Sequence, residues 1–414
     1  MISEPQQAFV WVWLPGATEP VVAGRLDVVG PIVTFTYGRS YLELEESIPL
    51  YLPELPLQRG PISPLVGEMA GCIADTAPDA WGQRVILNRR TGRADAETTE
   101  LGPLTFLLES GSDRTGALDF QESGTTYIPR GMEHAALDEL AESALRVEEG
   151  VPLSPELDQA LLHGSSVGGA RPKAVVADGE VPLIAKFSSN TDSYPVVQGE
   201  FVAMELARRA GLSVAPVRLA QALGRDALLV ERFDRPGGGR RRAMVSALTM
   251  LGLDEIGARY ASYADLADLI RARFTEPQAT LRELFSRIVF NILCSNNDDH
   301  ARNHAAFWDG EALALTPAYD ICPQLRSGGE TAQVMGIGKD GYRMSQVAGC
   351  VERAETYLLS EAEAREIVDR EIVTIEDQWD DVCDLAGLTK GEREAFWGRQ
   401  FLNPYSLEGY LRAA

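Results

Sequence analysis

From Ala8 to Leu42 apolar and polar residues alternate in short runs broken at Pro15-Gly16 and Gly30-Pro31, a pattern that predicts small antiparallel strands. A Pro-rich loop follows. Apolar positions at helical spacing then mark Ala80 to Arg89 and Leu101 to Glu109, so residues 1–125 read as a compact α/β module. A helix over Met132 to Glu149 leads into β-favouring runs at Lys173 to Val176, Val181 to Phe187 and Ala227 to Phe233. Between them a helix over Glu200 to Ala210 ends at Gly211, a C-cap signal. Pro236 to Arg242, Gly-rich and basic, reads as a linker too flexible to be core. Beyond it the amphipathic stretches Tyr263 to Phe274, Leu281 to Ser295 and Ser360 to Leu385 predict a mostly helical last part. The expected organisation is α+β: a module at 1–125, a strand-rich lobe at 126–242 and a helical lobe at 243–414.

Length and composition allow this, since 414 residues with 45% hydrophobic and 24% charged suit several soluble cores. A formal charge of −23 repels a phosphate backbone and argues against direct nucleic-acid binding by the whole surface. The five cysteines are scattered and never form Cys-x-x-Cys, which fits a reducing compartment rather than a disulfide framework or a thiolate zinc site. No stretch approaches the roughly 20 apolar residues of a membrane span, so a soluble cytoplasmic protein without a membrane partner is expected.

The most informative chemistry lies in Ser295-Asn296-Asn297-Asp298-Asp299-His300-Ala301-Arg302-Asn303-His304. Asp298-x-x-x-x-Asn303 has the spacing by which a kinase catalytic loop offers an aspartate to the substrate hydroxyl and an asparagine to Mg²⁺. Asp320, in Tyr319-Asp320-Ile321, follows the β-like run Ala312 to Thr316, where a kinase carries its metal-binding aspartate. The plainer reading of Asn-Asn-Asp-Asp is a polar turn between helices. Upstream, Gly164 to Lys173 is rich in small residues whose amides can cradle phosphate oxygens, although it matches neither a Gly-x-Gly-x-x-Gly loop nor a Walker motif. Lys186 stands alone in an apolar run, where burial calls for an anionic partner, and Glu200 is the nearest carboxylate on the next helix. An ordinary turn and an edge-strand lysine are the bland alternatives. The order of these pieces along the chain is that of kinases.

Gly169-Ala170-x-x-Lys173, Val230-Glu231-Arg232-Phe233-Asp234-Arg235, Asn297 to His304 and Pro317-x-Tyr319-Asp320, with Pro78-Asp79-Ala80-Trp81-Gly82 and Asp113 to Leu118, together resemble the HipA family of toxin kinases. The resemblance spans nearly the whole chain. It implies a two-lobed kinase-like fold behind a small HipA-type domain, with Asp298 as catalytic base, Asn303 and Asp320 as Mg²⁺ ligands and Lys186 on the phosphates of ATP. Ser166, Val167, Gly168, Gly169, Ala170, Lys173, Glu231, Phe233 and His300 would line the nucleotide. Ser166, or its neighbour Ser165, would be the site of autophosphorylation, whose added charge would repel the triphosphate. A helix-turn-helix antitoxin of the HipB kind would be the partner and supply contact with DNA. The family target is an aminoacyl-tRNA synthetase, usually the glutamyl one. Arg171-Pro172 stiffens the loop relative to other members, and Met244 to Leu253 resembles only some branches.

His300 and His304, four residues apart beside several aspartates, also suggest a metallohydrolase, but the Glu of His-Glu-x-x-His is replaced by Ala301. They are expected to orient the loop, with His300 bonded near Asp298. Two further readings compete with the toxin kinase: an antitoxin-binding scaffold without transfer, and a small-molecule kinase sharing the architecture.

Overall fold

Alternation along Ala8 to Leu42 folds as expected. In the computed structural model, which describes residues 4–91, 101–131, 135–151, 153–154, 157, 171–326 and 329–412, it becomes β1 (Gln7–Val12), β2 (Val21–Val29) and β3 (Ile32–Tyr37). With β4 (Pro61–Ile62) and β5 (Leu118–Gln121) they form a sheet in the order β4-β3-β2-β1-β5, antiparallel at every junction. A second sheet contains β6 (Lys173–Asp178), β7 (Val181–Phe187), β8 (Val217–Ala222) and β9 (Arg225–Glu231) in the order β6-β7-β9-β8.

Contacts divide the chain into two units. The first comprises Met1–Thr191, Ala220–Val245 and Phe307–Glu311; the second comprises Asp192–Leu219, Ser246–Ala306 and Ala312–Ala414. Within the first unit, the amino-terminal region and the strand-rich lobe share one core. Ala174 and Val176 of β6, Leu183, Ala185 and Phe187 of β7, and Ala227 and Leu229 of β9 pack with Leu140, Ala144 and Val147 of the helix Leu137–Glu148. Trp81 and Val85 of the helix Ala80–Thr91 complete that core. Period-two strands and a period-3.6 helix thus present their apolar faces to one another. Trp81 also donates from its indole N–H to the Lys173 carbonyl (3.1 Å), while Asp79 caps its helix by accepting from the Trp81 and Gly82 amides.

A buried ionic lattice makes the second tie inside this unit. Arg232, at the end of β9, pairs with Asp113 (2.9 Å) and Asp234 (2.9 Å) and donates to the Arg114 carbonyl (2.7 Å). Arg235 spans the same two carboxylates at 2.8 and 2.7 Å, and the Gly116 amide donates to Asp234. Arg114 is fully buried against Asp119 at 3.0 Å. Burial alone would raise the pKa of Asp113, but Arg232, Arg235 and Arg241 outweigh it and hold the carboxyl well below the usual range. Asp234 and Asp119 are lowered against the same burial by Arg232 with Arg235 and by Arg114 with Arg130. The Gly-rich segment Pro236 to Arg242 is anchored rather than free: Arg241 is buried over the Trp13 ring at 3.5 Å and donates to the Ser112 carbonyl, and the Arg242 amide bonds to Asp234.

The second unit is helical. Tyr263–Arg273 and Pro277–Leu293 pack together, and Glu361–Leu385, opened by a Ser360/Glu363 capping box, covers Pro277–Leu293 and the helix Val196–Arg209. The last of these ends at Gly211 in the left-handed region (φ +93°), with the Leu212 and Gly211 amides bonded back to Ala207 and Arg208. Among the described residues no helix is long and apolar enough to cross a membrane.

Removing one member of a buried ion cluster leaves the others uncompensated, so Arg232→Ala should lower unfolding stability by about 3–5 kcal/mol in urea titrations at pH 7. A carboxylate depressed only in the folded state stabilises fully above its unfolded pKa and loses that contribution as pH falls through the folded value. The wild type should therefore lose stability progressively below about pH 4, and the variant less steeply. A loss under about 1 kcal/mol would contradict the lattice's role.

Candidate active site

The loop that carries Asp298 begins where the helix Pro277–Leu293 stops. After Cys294, Ser295 turns into the left-handed region (φ +56°), its carbonyl accepts from the Gln324 amide, and its hydroxyl donates to the Gln400 carbonyl at 2.7 Å. Asp298 is exposed and Asp299 is buried, so two adjacent carboxylates face opposite environments. Beyond them Ala301–Asn303 forms a 3₁₀ turn, with the Asn303 amide bonded to the His300 carbonyl at 2.8 Å and the Asn303 residue buried.

Asp320 joins this tract through the backbone. It holds φ +60°, a conformation costing an L-residue with a side chain about 1 kcal/mol, which the surroundings must offset. Its carbonyl lies 3.5 Å from the Asn296 side-chain amide, and the neighbouring Tyr319 hydroxyl donates to the Arg302 carbonyl at 2.8 Å. Within the second unit the segment that carries Asp298 and Asn303 is thus hydrogen-bonded, through Asn296 and Arg302, to the segment that carries Asp320. An amide oxygen and a carboxylate are a donor set that suits Mg²⁺, which takes few protein oxygens and completes its octahedron with phosphate and water.

In the first unit, β6 and β7 place Lys173 and Lys186 directly opposite one another. Core residues alternate with them, so the two lysines share the other face of the sheet with Val175 and Ile184. Register extends that face to Leu228, opposite Lys186, and Val230, opposite Ile184. Two ammonium groups facing each other across strands repel. Asp79, 3.7 Å from the Lys173 ammonium, offsets one of them. The face thus combines the buried Val175, Leu228 and Val230 with the two lysines, of which Lys173 is itself buried beside Asp79. Glu231 is exposed at the end of β9, and Phe233 is half-buried edge-on to Phe307 at 6.0 Å.

Glu200, the expected partner of Lys186, is buried in the helix Val196–Arg209 of the second unit. Ser165, Ser166, Val167, Gly168, Gly169 and Ala170 lie outside the described residues. His300 does not bond to Asp298 among the described residues; its Nδ1 is buried without a hydrogen-bond partner. His304 instead meets Asp299 at 2.8 Å. That contact occupies one ring nitrogen, and no group of three or more His, Cys, Asp or Glu side chains among the described residues is arranged to hold a metal. Tyr263 and Asn291, which also support the loop, give no signal in the sequence: a tyrosine on an apolar helical face reads as core, and its hydroxyl partner 36 residues away has no periodicity.

The sequence matches the HipA-like C-terminal domain over residues 165–379 and the HipA N-terminal domain over residues 14–121. Y4mE of Sinorhizobium fredii, named as a candidate kinase, is 27% identical over 322 residues, covering 70% of this chain and 71% of that protein. The serine/threonine-protein kinase toxin HipA of Shewanella oneidensis is 30% identical over 145 residues, 30% of this chain and 34% of that one. A structure of Shewanella oneidensis HipA, solved with HipB and operator DNA, superposes with a TM-score of 0.71 over 96% of this chain and 95% of that one at 20% identity, which shows a shared fold. The HipA-like C-terminal domain matched over more than half of the chain, with the HipA N-terminal domain ahead of it, makes this chain a member of the HipA family.

Proposed function

We propose that the chain is an ATP- and Mg²⁺-dependent serine/threonine protein kinase, the toxin of a toxin–antitoxin pair. The observation that supports this reading is a loop in which an exposed Asp298 precedes a buried Asp299, and whose Asn296 side chain meets the backbone carbonyl of the strained Asp320. Asp298 accepts the proton of the acceptor hydroxyl as that oxygen bonds to the γ-phosphorus and the bond to the β-phosphate oxygen breaks, leaving ADP. Asn303 and Asp320 would hold Mg²⁺, which when bound neutralises charge developing on the phosphates. Lys186 and Lys173 supply positive charge to phosphate oxygens, and Glu231 and Phe233 contact the base. Ser166, or Ser165, is proposed as the residue on which the enzyme labels itself.

A chain of charge −23 is poorly suited to DNA, and the Shewanella HipA it resembles was solved with HipB and operator DNA. We infer a helix-turn-helix antitoxin as partner, through which any DNA contact is made. The target is proposed to be a protein hydroxyl, an aminoacyl-tRNA synthetase such as the glutamyl enzyme being the family choice.

Purified protein with Mg²⁺ and γ-labelled ATP should acquire label, and Asp298→Ala should reduce the rate at least about a hundredfold. Label retained at wild-type rate would overturn the assignment. Asp320→Gly relieves the positive φ while removing the carboxylate, so it should be more stable than Asp320→Ala by about 1 kcal/mol in thermal unfolding and just as inactive. Activity in either Asp320 variant would contradict the metal role.

A further inference from the structure

The phosphate chemistry assigned above makes no use of a set of buried polar side chains beneath the loop. One oxygen of Asp299, Oδ2, receives the Tyr263 hydroxyl, the Asn291 side-chain amide at 2.8 Å and, as the Nε2–H tautomer, His304 at 2.8 Å. Tyr263, Asn291, Asp299 and His304 are each at most 3% exposed. A carboxylate so far from water is tolerated only where hydrogen bonds replace its hydration, and three donors on one oxygen do so. The donors come from three places: the start of the helix Tyr263–Arg273, the last turn of the helix Pro277–Leu293, and the residue after the 3₁₀ turn Ala301–Asn303.

The set continues beyond Asp299. Asn291 offers its other amide atom, Oδ1, to the Asn296 side chain at 3.1 Å, and the same Asn296 nitrogen faces the Asp320 carbonyl. Asn291 therefore reads the buried carboxylate with its nitrogen and the head of the loop with its oxygen. Asn291 is thus held on both sides, as donor to Asp299 and acceptor from Asn296, which fixes the orientation of its amide. His304 closes the far end of the loop on the same oxygen.

We propose that Asp299 is a positioning residue for phosphoryl transfer: with Tyr263, Asn291 and His304 it fixes both ends of the loop and turns the preceding residue, Asp298, outward, while the Asn291–Asn296 link sets the loop against the backbone of Asp320. Adjacent residues project in different directions, so anchoring one carboxylate inside the fold orients the other outside it. This rests on the kinase reading above. A displacement of the base by about 1 Å is enough to cost on the order of a hundredfold in rate without affecting nucleotide uptake.

The test measures self-labelling of the full chain with γ-labelled ATP and Mg²⁺, taking the maximal rate and the half-saturating ATP concentration separately, beside the thermal midpoint. Asp299→Asn, which keeps the shape and one acceptor oxygen, should lower the maximal rate about tenfold to a hundredfold while half-saturation stays within about twofold. Tyr263→Phe, which deletes one donor of three, should lower it by a smaller factor of about three to ten, and Asp299→Ala should be worse than Asp299→Asn. Unchanged maximal rates in Asp299→Asn and Tyr263→Phe, with an active wild type, would overturn the proposal. So would a parallel fall of rate, ATP saturation and thermal midpoint, which would show a merely structural residue. A wild type that acquires no label would remove the kinase reading, and this proposal with it.

Discussion

A guanidinium as buried as that of Arg232 can exist in a protein interior only if anions surround it, and this constraint shapes the first unit. Asp113 answers it from a remote stretch of the chain and Asp234 from two residues further on, and Arg235 and the Gly116 amide then fill the remaining carboxylate positions. The result is that β9, whose end carries Glu231, is fixed to the turn that precedes β5. Two of the stretches by which the chain resembles its family, Asp113 to Leu118 and Val230 to Arg235, are thus the two halves of one ionic lattice. Within them the charges of Asp113, Arg232, Asp234 and Arg235 compensate one another.

The second unit applies the same physics in a smaller space. Asp299 is placed in the interior with hydrogen bonds to replace water, whereas its neighbour Asp298 keeps its solvent. One carboxylate is bonded inside the fold and the other lies exposed. A backbone strained at Asp320 and bonded to the loop through Asn296 fits a region where geometry is set by surroundings rather than by local preference.

Much of the fold was legible because it rests on local periodicity. The strands β1 to β3, the helices Ala80–Thr91 and Tyr263–Arg273, and the helix after Ser360 fall where alternation and helical spacing put them. The helix over Glu200 to Ala210 begins earlier, at Val196, because Pro195 supplies the break that the β-branched pair Val196-Val197 obscures. What sequence could not show is long-range. Arg241 in a Gly-rich run reads as solvated, yet it is buried on Trp13, more than two hundred residues away. Trp81 reads as part of a separate module, yet it packs into the core of the second sheet. Spacing marks Asp298, Asn303 and Asp320 as candidates, whereas the hydrogen bonds that Tyr263 and Asn291 make to Asp299 depend on contacts that no spacing encodes. His300 was expected to serve Asp298; His304, serving Asp299, shows that the buried carboxylate rather than the exposed one recruits the ring.

The central claim is that this chain takes up a magnesium-loaded nucleotide. Isothermal calorimetry of the unmodified protein with a non-hydrolysable ATP analogue addresses it most directly. The account predicts saturable uptake of one equivalent that weakens at least about tenfold when Mg²⁺ is chelated, as expected when metal and phosphates bind together. Heat indistinguishable from dilution, or uptake indifferent to magnesium, would contradict it.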